Sequence, residues 1–312
     1  MKRVVILTGG VGGAKLVLGL SRIAPEKQIT AIVNTGDDFH HFGLAVSPDI
    51  DTLLYTLSGK ANAEQGWGRE DETWSFMDAL ASLGGDTWFR LGDGDLALHV
   101  LRTALLARGE TLSAITAGFA RAWDIGVDIL PMTNESVATQ LATDEGVLDF
   151  QTYFVARRCA PKVMMVRFEG ADTAQPAPGV IRAIMDEAVE AILIAPSNPY
   201  LSIDPILAVP GIAQALAASP APVVAVSPII GGQAVKGPTA KLMRELGLDV
   251  TPRAIAAHYD GIIDGLLIDR QDREGFPDIP WATADTLMIT LDDRMRVARA
   301  AFDFARSLRS AR

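Results

Sequence analysis

Residues 3–15 read RVVILTGGVGGAK, from Arg3 to Lys15. Val4 to Leu7 is a short apolar run rich in β-branched residues, which is how a parallel strand buried on both faces reads. Gly9 to Lys15 follows, with glycine at 9, 10, 12 and 13. A glycine-rich turn between a strand and a helix lets backbone N–H groups come close to phosphate oxygens. The helix N-terminus adds partial positive charge, and Lys15 adds a full one. Leu16, Leu18, Leu20 and Ile23 then predict a helix that stops near Pro25, and Ile29 to Val33 predicts a second strand. A strand, a helix and a strand in this order open a doubly wound sheet. The expected fold class is therefore α/β, Rossmann-like, with a mainly parallel sheet and an inserted helical lobe.

The glycine-rich stretch fits neither common nucleotide fingerprint. A Walker A loop would need glycine in place of Ala14 and Ser or Thr in place of Leu16, and a dinucleotide fingerprint would need glycine in place of Lys15. An ordinary nicotinamide-dependent oxidoreductase also fits poorly, because Asn34 and Thr35, not an acidic residue, close the second strand.

The rest of the chain sets the bounds. Of 312 residues, 49% are apolar and 21% charged, enough apolar content to bury a large core. The net charge is −10, with no dense Lys/Arg run, so a broad nucleic-acid footprint is not expected. Cys159 is the single cysteine, which excludes an intrachain disulfide and reads as a small packed residue. No stretch has the length and apolarity of a membrane span, and a cytoplasmic protein is expected.

The chain reads as a core of residues 1–58 and 124–312 with a helical insertion at 59–123. Within the insertion, Trp74–Leu83, Asp95–Ala107 and Leu112–Trp123 predict helices. Val137–Thr143 and Leu148–Val155, on either side of Asp144-Glu145-Gly146, predict a β-hairpin or two adjacent strands. Val163–Val166, Ala191–Ile194, Val223–Val226 and Leu266–Ile268 read as buried strands, and Arg294–Leu308 as a closing helix.

Four further stretches carry chemistry. Asp37, Asp38, Asp49 and Asp51 place four carboxylates within fifteen residues. Ile50, Leu53, Leu54 and Leu57 predict a helix starting near Asp49, so Asp49 and Asp51 fall in its first turn. Such a set suits Mg²⁺, which takes a few carboxylates together with phosphate oxygens and water. Capping alone accounts for any one of them. His40 and His41 stand between; an adjacent pair of this kind usually divides into one exposed and one packed imidazole, and neither is assigned. Arg90 follows Trp88-Phe89, a cation beside aromatics. Asp95, a few residues on, reads equally well as a helix N-cap. Ser197 and Asn198 follow the strand Ala191–Ile194, and Ser227-Pro-Ile-Ile-Gly-Gly232 follows Val223–Val226. In open α/β sheets, ligands bind at the carboxyl ends of strands, and three strand-end loops of this kind suggest one shared cleft.

Taken in order, these stretches resemble the 2-phospho-L-lactate transferase family of coenzyme F-420 biosynthesis (CofD-like). The matching segments are GGVGGAK at 9–15, NTGDD at 34–38, SPDIDTLLYTL at 47–57, GWGREDETW at 66–74, LGDGDLALH at 91–99, APSNPYLSIDPIL at 195–207 and SPIIGGQAVKGP at 227–238. The resemblance implies a Rossmann-like enzyme, usually a homodimer, using Mg²⁺. It implies two substrates, the deazaflavin FO and a guanosine diphosphate-linked phospho-acid made from phospholactate or phosphoenolpyruvate, with phosphoglycerate admitted by the departures at Gly94 and Leu98. By the same resemblance Asp51 and Arg90 contact FO, and Trp67 would pack on its ring. Gly10, Val11, Gly12, Gly13, Lys15, Ser197 and Asn198 would hold the nucleotide. Asp37, Asp49 and Asp51 would hold the metal or position the nucleophile. Gly94 and Leu98 depart from the family's usual residues, which leaves the acid open. The competing reading is a non-enzymatic nucleotide-sugar or dinucleotide-binding regulator of the related YvcK-like family. Against it stand the aromatic Phe39-His40-His41-Phe42 after the acidic pair and the SPDIDT segment.

Overall fold

The computed structural model describes residues 2–25, 28–62, 68–235, 237–272 and 274–309. The apolar run that opens the sequence becomes the strand Arg3–Thr8, fifth of seven in the central sheet. The spatial order is Trp281–Ala284, Gly265–Asp269, Val223–Val226, Val189–Ile194, Arg3–Thr8, Gln28–Val33, Asp128–Pro131, and every neighbouring pair is parallel.

Because side chains alternate along a strand, the sheet has two apolar faces. Val4 and Ile6 join one buried cluster with Leu16 and Leu20 of the opening helix Gly10–Ile23, with Ile50 and Leu54 of the helix Pro48–Ser58, and with Val297 and Ala301 of the closing helix Leu291–Arg309. Val5 and Leu7 point the other way, into a cluster with Ile184, Ile206, Ile212, Leu242 and Ile255. Helices therefore cover both faces, as a doubly wound fold requires. The opening and closing helices pack backbone to backbone. A β-carbon on Gly19 would lie 2.2 Å from the Arg294 carbonyl oxygen, so no larger residue fits there.

Within residues 59–123 the described helices are Ser75–Ser82, Asp93–Ala107 and Leu112–Ala122. Leu98, Leu112, Ile115 and Phe119 of this segment enter the same buried cluster as the sheet residues Ala31 and Ile129.

Two sequence expectations need correction. Val163–Val166 is not a central strand: Val163–Glu169 pairs antiparallel with Ala138–Thr143 in a separate three-stranded sheet. Met164, Met165, Arg167 and Glu169 of that strand are exposed, so its apolar run does not mean two-sided burial. The expected second hairpin strand ends early, at Asp149. Thr152–Ala156 turns helical instead, directing Tyr153 into the core. Two strands of the central sheet, Asp128–Pro131 and Trp281–Ala284, gave no clear sequence signal; each has four residues and lies at an edge. No described helix is long and apolar enough to cross a membrane.

Candidate active site

The order of the sheet reverses beside the strand Arg3–Thr8. The chain continues to Gln28–Val33 on one side and later returns at Val189–Ile194 on the other. The carboxyl ends of two strands that diverge in this way open a crevice. Gly9–Lys15 and Ala195–Asn198 meet in it, and Ser197 ties them together. Its Oγ donates to the Gly9 carbonyl at 2.7 Å and accepts from the Gly9 N–H at 3.2 Å.

Most of the glycine-rich stretch is helix rather than loop, since the opening helix begins at Gly10. Gly10 alone among these glycines has a left-handed φ, 62°. Gly12 and Gly13 are needed for closeness instead. A β-carbon would lie 2.9 Å from the Pro196 carbonyl oxygen at residue 12, and 2.1 Å from Thr8 Oγ1 at residue 13. Gly10, Val11, Gly12 and Lys15 line the cleft, whereas Gly13 lies behind its wall. Lys15 Nζ donates to the Met288 carbonyl at 2.7 Å. Asn198 Oδ1 accepts from the N–H groups of Tyr200 and Leu201, and its buried Nδ2 has no hydrogen-bond partner among the described residues.

The aspartates divide into two groups. Asp49 Oδ1 accepts from the Gly10 N–H at 2.6 Å, so this carboxylate sits at the positive end of the opening helix. Asn34 Nδ2 donates to both Asp49, at 2.9 Å, and Asp37, at 2.7 Å. Both carboxylates are buried, and neither has an ion pair among the described residues. Burial pushes the Asp49 carboxyl up to about 6. Burial, followed by the charges of Asp49 and Asp38, holds Asp37 well above the usual carboxylate range. Asp38 is also raised by burial, against a hydrogen bond from Ser47 Oγ at 2.7 Å.

Asp51, one half-turn further along its helix, is compensated. Arg102 is 1% exposed and grips it with both terminal nitrogens, Nη1 to Oδ2 at 3.2 Å and Nη2 to Oδ1. Burial opposes the charge on Arg102, but Asp51 outweighs it and holds the guanidinium above its ordinary value. His99 Nδ1 lies 3.2 Å from Arg102 Nη1, and its Nε2 lies 3.2 Å from Asp95 Oδ2. Asp95 also accepts from the Tyr55 hydroxyl. Asp95 therefore does not cap its helix; Gly92 is the N-cap, and Asp93 accepts from the N–H groups of Ser75 and Phe76. Arg102, His99 and Asp95 were not expected as site residues. Their spacing of three and four residues puts them on one helix face, and that was the available signal. Asn34 was read only as the absence of an acid.

The cleft continues toward an aromatic wall. The Arg90 guanidinium lies 4.1 Å over the Trp74 ring, and Trp88 and Phe89 surround His41 with ring centroids 5.5 and 5.4 Å away. His41 is buried and His40 exposed, the division expected of the pair. Trp67 lies outside the described residues. Asp37, Asp49, Asp51, Arg90, Ser197 and Asn198 line one continuous cleft of about 1080 Å³ with the opening glycines.

The comparisons with known proteins cover the whole of this architecture. By fold, the chain is similar to a UPF0052-family protein from Bacillus halodurans, with a TM-score of 0.63 at 20% identity over 96% of this chain and 99% of the other. By sequence it is 44% identical to the phosphoenolpyruvate transferase of Streptomyces coelicolor, over 99% of this chain and 100% of that one. It is 34% identical to the phosphoenolpyruvate transferase of Mycolicibacterium smegmatis, over 97% and 98%. The sequence profile of the 2-phospho-L-lactate transferase CofD family matches residues 4–291. Coverage of this extent, with the cleft at the switch point of the sheet, settles the class: the chain belongs to the CofD family and is a transferase of coenzyme F-420 biosynthesis.

Proposed function

We propose that this transferase moves a phospho-acid group from a guanosine diphosphate-linked donor to the deazaflavin FO. The transferred group is a phosphoenolpyruvyl, phospholactyl or phosphoglyceryl unit. The oxygen of FO's primary ribityl hydroxyl forms a bond to the donor's non-guanosine phosphorus. The bond from that phosphorus to the guanosine phosphate oxygen breaks, GMP leaves, and the hydroxyl proton passes to a cleft carboxylate. The product is a phosphodiester, F-420-0 or its dehydro form. The observation that carries this reading is the single cleft shared by the glycine-rich helix start, the buried aspartates and the aromatic wall. At about 1080 Å³ it is at the upper end of ordinary ligand sites, as two substrates would require.

In-line displacement at phosphorus asks a protein mainly for positioning and charge neutralisation. Gly10, Val11 and Gly12, with Lys15, Ser197 and Asn198, hold the nucleotide end in this reading. The unpartnered Asn198 Nδ2 is a donor suited to a phosphate or ribose oxygen. Asp51 orients the FO hydroxyl, its own position fixed by Arg102. Arg90, Trp74 and Trp88 face the flat ring system in this reading, and the family resemblance adds Trp67 as a further ring contact.

Asp37, Asp49 and Asp51 are the carboxylates available for Mg²⁺. The first two fit a hard divalent cation best, being buried, raised in pKa and unpaired among the described residues. Asp51, Asp95 and His99 also bring ligand atoms within 4.8 Å of one another, but Arg102 already neutralises Asp51. When bound, the cation would neutralise charge on the phosphate oxygens. A homodimer in the cytoplasm completes the proposal.

The test is product analysis by mass spectrometry with FO, Mg²⁺ and each of the three donors formed in situ. The expected product is a phosphodiester-linked deazaflavin with one equivalent of GMP. No adduct from any donor would overturn the reading, and competition among the three acids identifies the one transferred.

A further inference from the structure

Arg69 is seated where Gly94 has no side chain. A β-carbon on residue 94 would lie 2.2 Å from Arg69 Nη1 and 2.8 Å from its Cζ, so the guanidinium fills the space any larger residue would take. Glu72 completes the seat. Its Oε2 accepts from the Gly94 N–H at 2.7 Å, and its carboxylate lies where a β-carbon on Gly92 would be, 2.3 Å from Glu72 Cδ. The pair itself is loose. Arg69 Nε is 3.6 Å from Glu72 Oε1, beyond hydrogen-bond distance, and this buried nitrogen has no hydrogen-bond partner among the described residues.

The guanidinium lines the cleft, beside the residue whose neighbour, Asp95, reaches Tyr55 and His99. Three other cations around the cleft are engaged, Arg102 with Asp51, Lys15 with the Met288 carbonyl and Arg90 over Trp74; Arg158 also lines the cleft. A planar guanidinium whose Nε has no hydrogen-bond partner among the described residues, steadied from behind by a glutamate, matches a carboxylate in a two-pronged grip.

We propose that Arg69 binds the carboxylate of the transferred phospho-acid, with Glu72 and the small residues Gly92 and Gly94 setting its position. This rests on the transferase reading above. In that reading the phosphates have the start of the opening helix. Arg69 lies beyond Asp51 along the contacts through His99 and Asp95, where the acid end of the donor would extend.

The experiment compares the free-carboxylate donor with its methyl ester in wild type, Arg69→Gln and Gly94→Ala, following the product by mass spectrometry. Wild type is expected to prefer the carboxylate. Arg69→Gln is expected to raise the KM for the carboxylate donor by roughly 10- to 100-fold and to erase the preference, leaving the KM for FO unchanged. Gly94→Ala is expected to do the same while the protein stays folded, because alanine suits a helix start at a non-left-handed φ but displaces the guanidinium. An Arg69→Gln enzyme that keeps the preference, or one whose KM shifts for FO instead, would overturn the assignment. A wild type that transfers from neither donor overturns the transferase reading and the assignment with it.

Discussion

Asp49 and Asp51 sit two residues apart in the first turn of one helix, yet their surroundings are opposite. Asp49 meets a backbone N–H and the Asn34 amide, shares that amide with Asp37, and has no cation beside it among the described residues. Asp51 meets a buried arginine in a two-pronged grip, backed by His99, Asp95 and Tyr55. Two identical side chains in one turn thus have different work. In the proposed reaction the uncompensated corner is where a divalent cation would bind. The compensated one is a carboxylate held by Arg102, which the proposed reaction uses to orient a hydroxyl.

The most severe way to break this contrast is to remove the compensation. Arg102→Met leaves Asp51 buried without its partner, and unfolding stability is expected to fall by about 3–5 kcal/mol. Urea denaturation at neutral pH measures it; a loss below about 1 kcal/mol would mean that Asp51 finds water or another partner. The reciprocal change at the other corner should behave differently. Asp49→Asn keeps an oxygen for the Gly10 N–H, gives up the bond from Asn34 Nδ2 and removes a buried charge, so the two effects offset and stability should hold within about 1 kcal/mol. Turnover should nonetheless fall on the order of 100- to 1000-fold, the scale on which preorganised charge stabilisation acts.

The pH dependence sharpens the same comparison. Asp49 titrates at about 6 in the folded protein and near 3.8 unfolded, so the folded state binds more protons between these values. Stability should therefore decline as pH rises from about 4 to about 6 and level off above, by on the order of 1–3 kcal/mol. Asp37, shifted in the same direction by burial, adds to the slope. Thermal melts across pH 4–8 check this, and Asp49→Asn should flatten the decline. Added Mg²⁺ should raise the melting temperature more at pH 7.5 than at pH 5. The smallest effect lies at the aromatic wall, where Arg90→Lys weakens the stacking on Trp74 and should raise the KM for FO by about two- to fivefold.

The sheet was legible where apolar runs were long and buried on both faces, as at Val4–Leu7 and Ala191–Ile194. It was not legible at Asp128–Pro131 or Trp281–Ala284, short edge strands, the first of which pairs with Gln28–Val33 from far earlier in the chain. Val163–Val166 misled because an apolar run does not say which sheet it joins. The glycines at 9–13 signalled the crevice correctly as a place of close backbone approach, although Gly12 and Gly13 serve packing against Pro196 and Thr8 rather than a loop conformation. The acidic residues could be read as a group but not sorted, since sorting them required Arg102, which arrives from a helix some fifty residues later.

Electron paramagnetic resonance of Mn²⁺ with GDP present tests the division most directly. The account predicts that wild type and Asp51→Asn hold the ion alike, and that Asp49→Asn loses it. Undiminished Mn²⁺ binding in Asp49→Asn, with loss in Asp51→Asn, would contradict it.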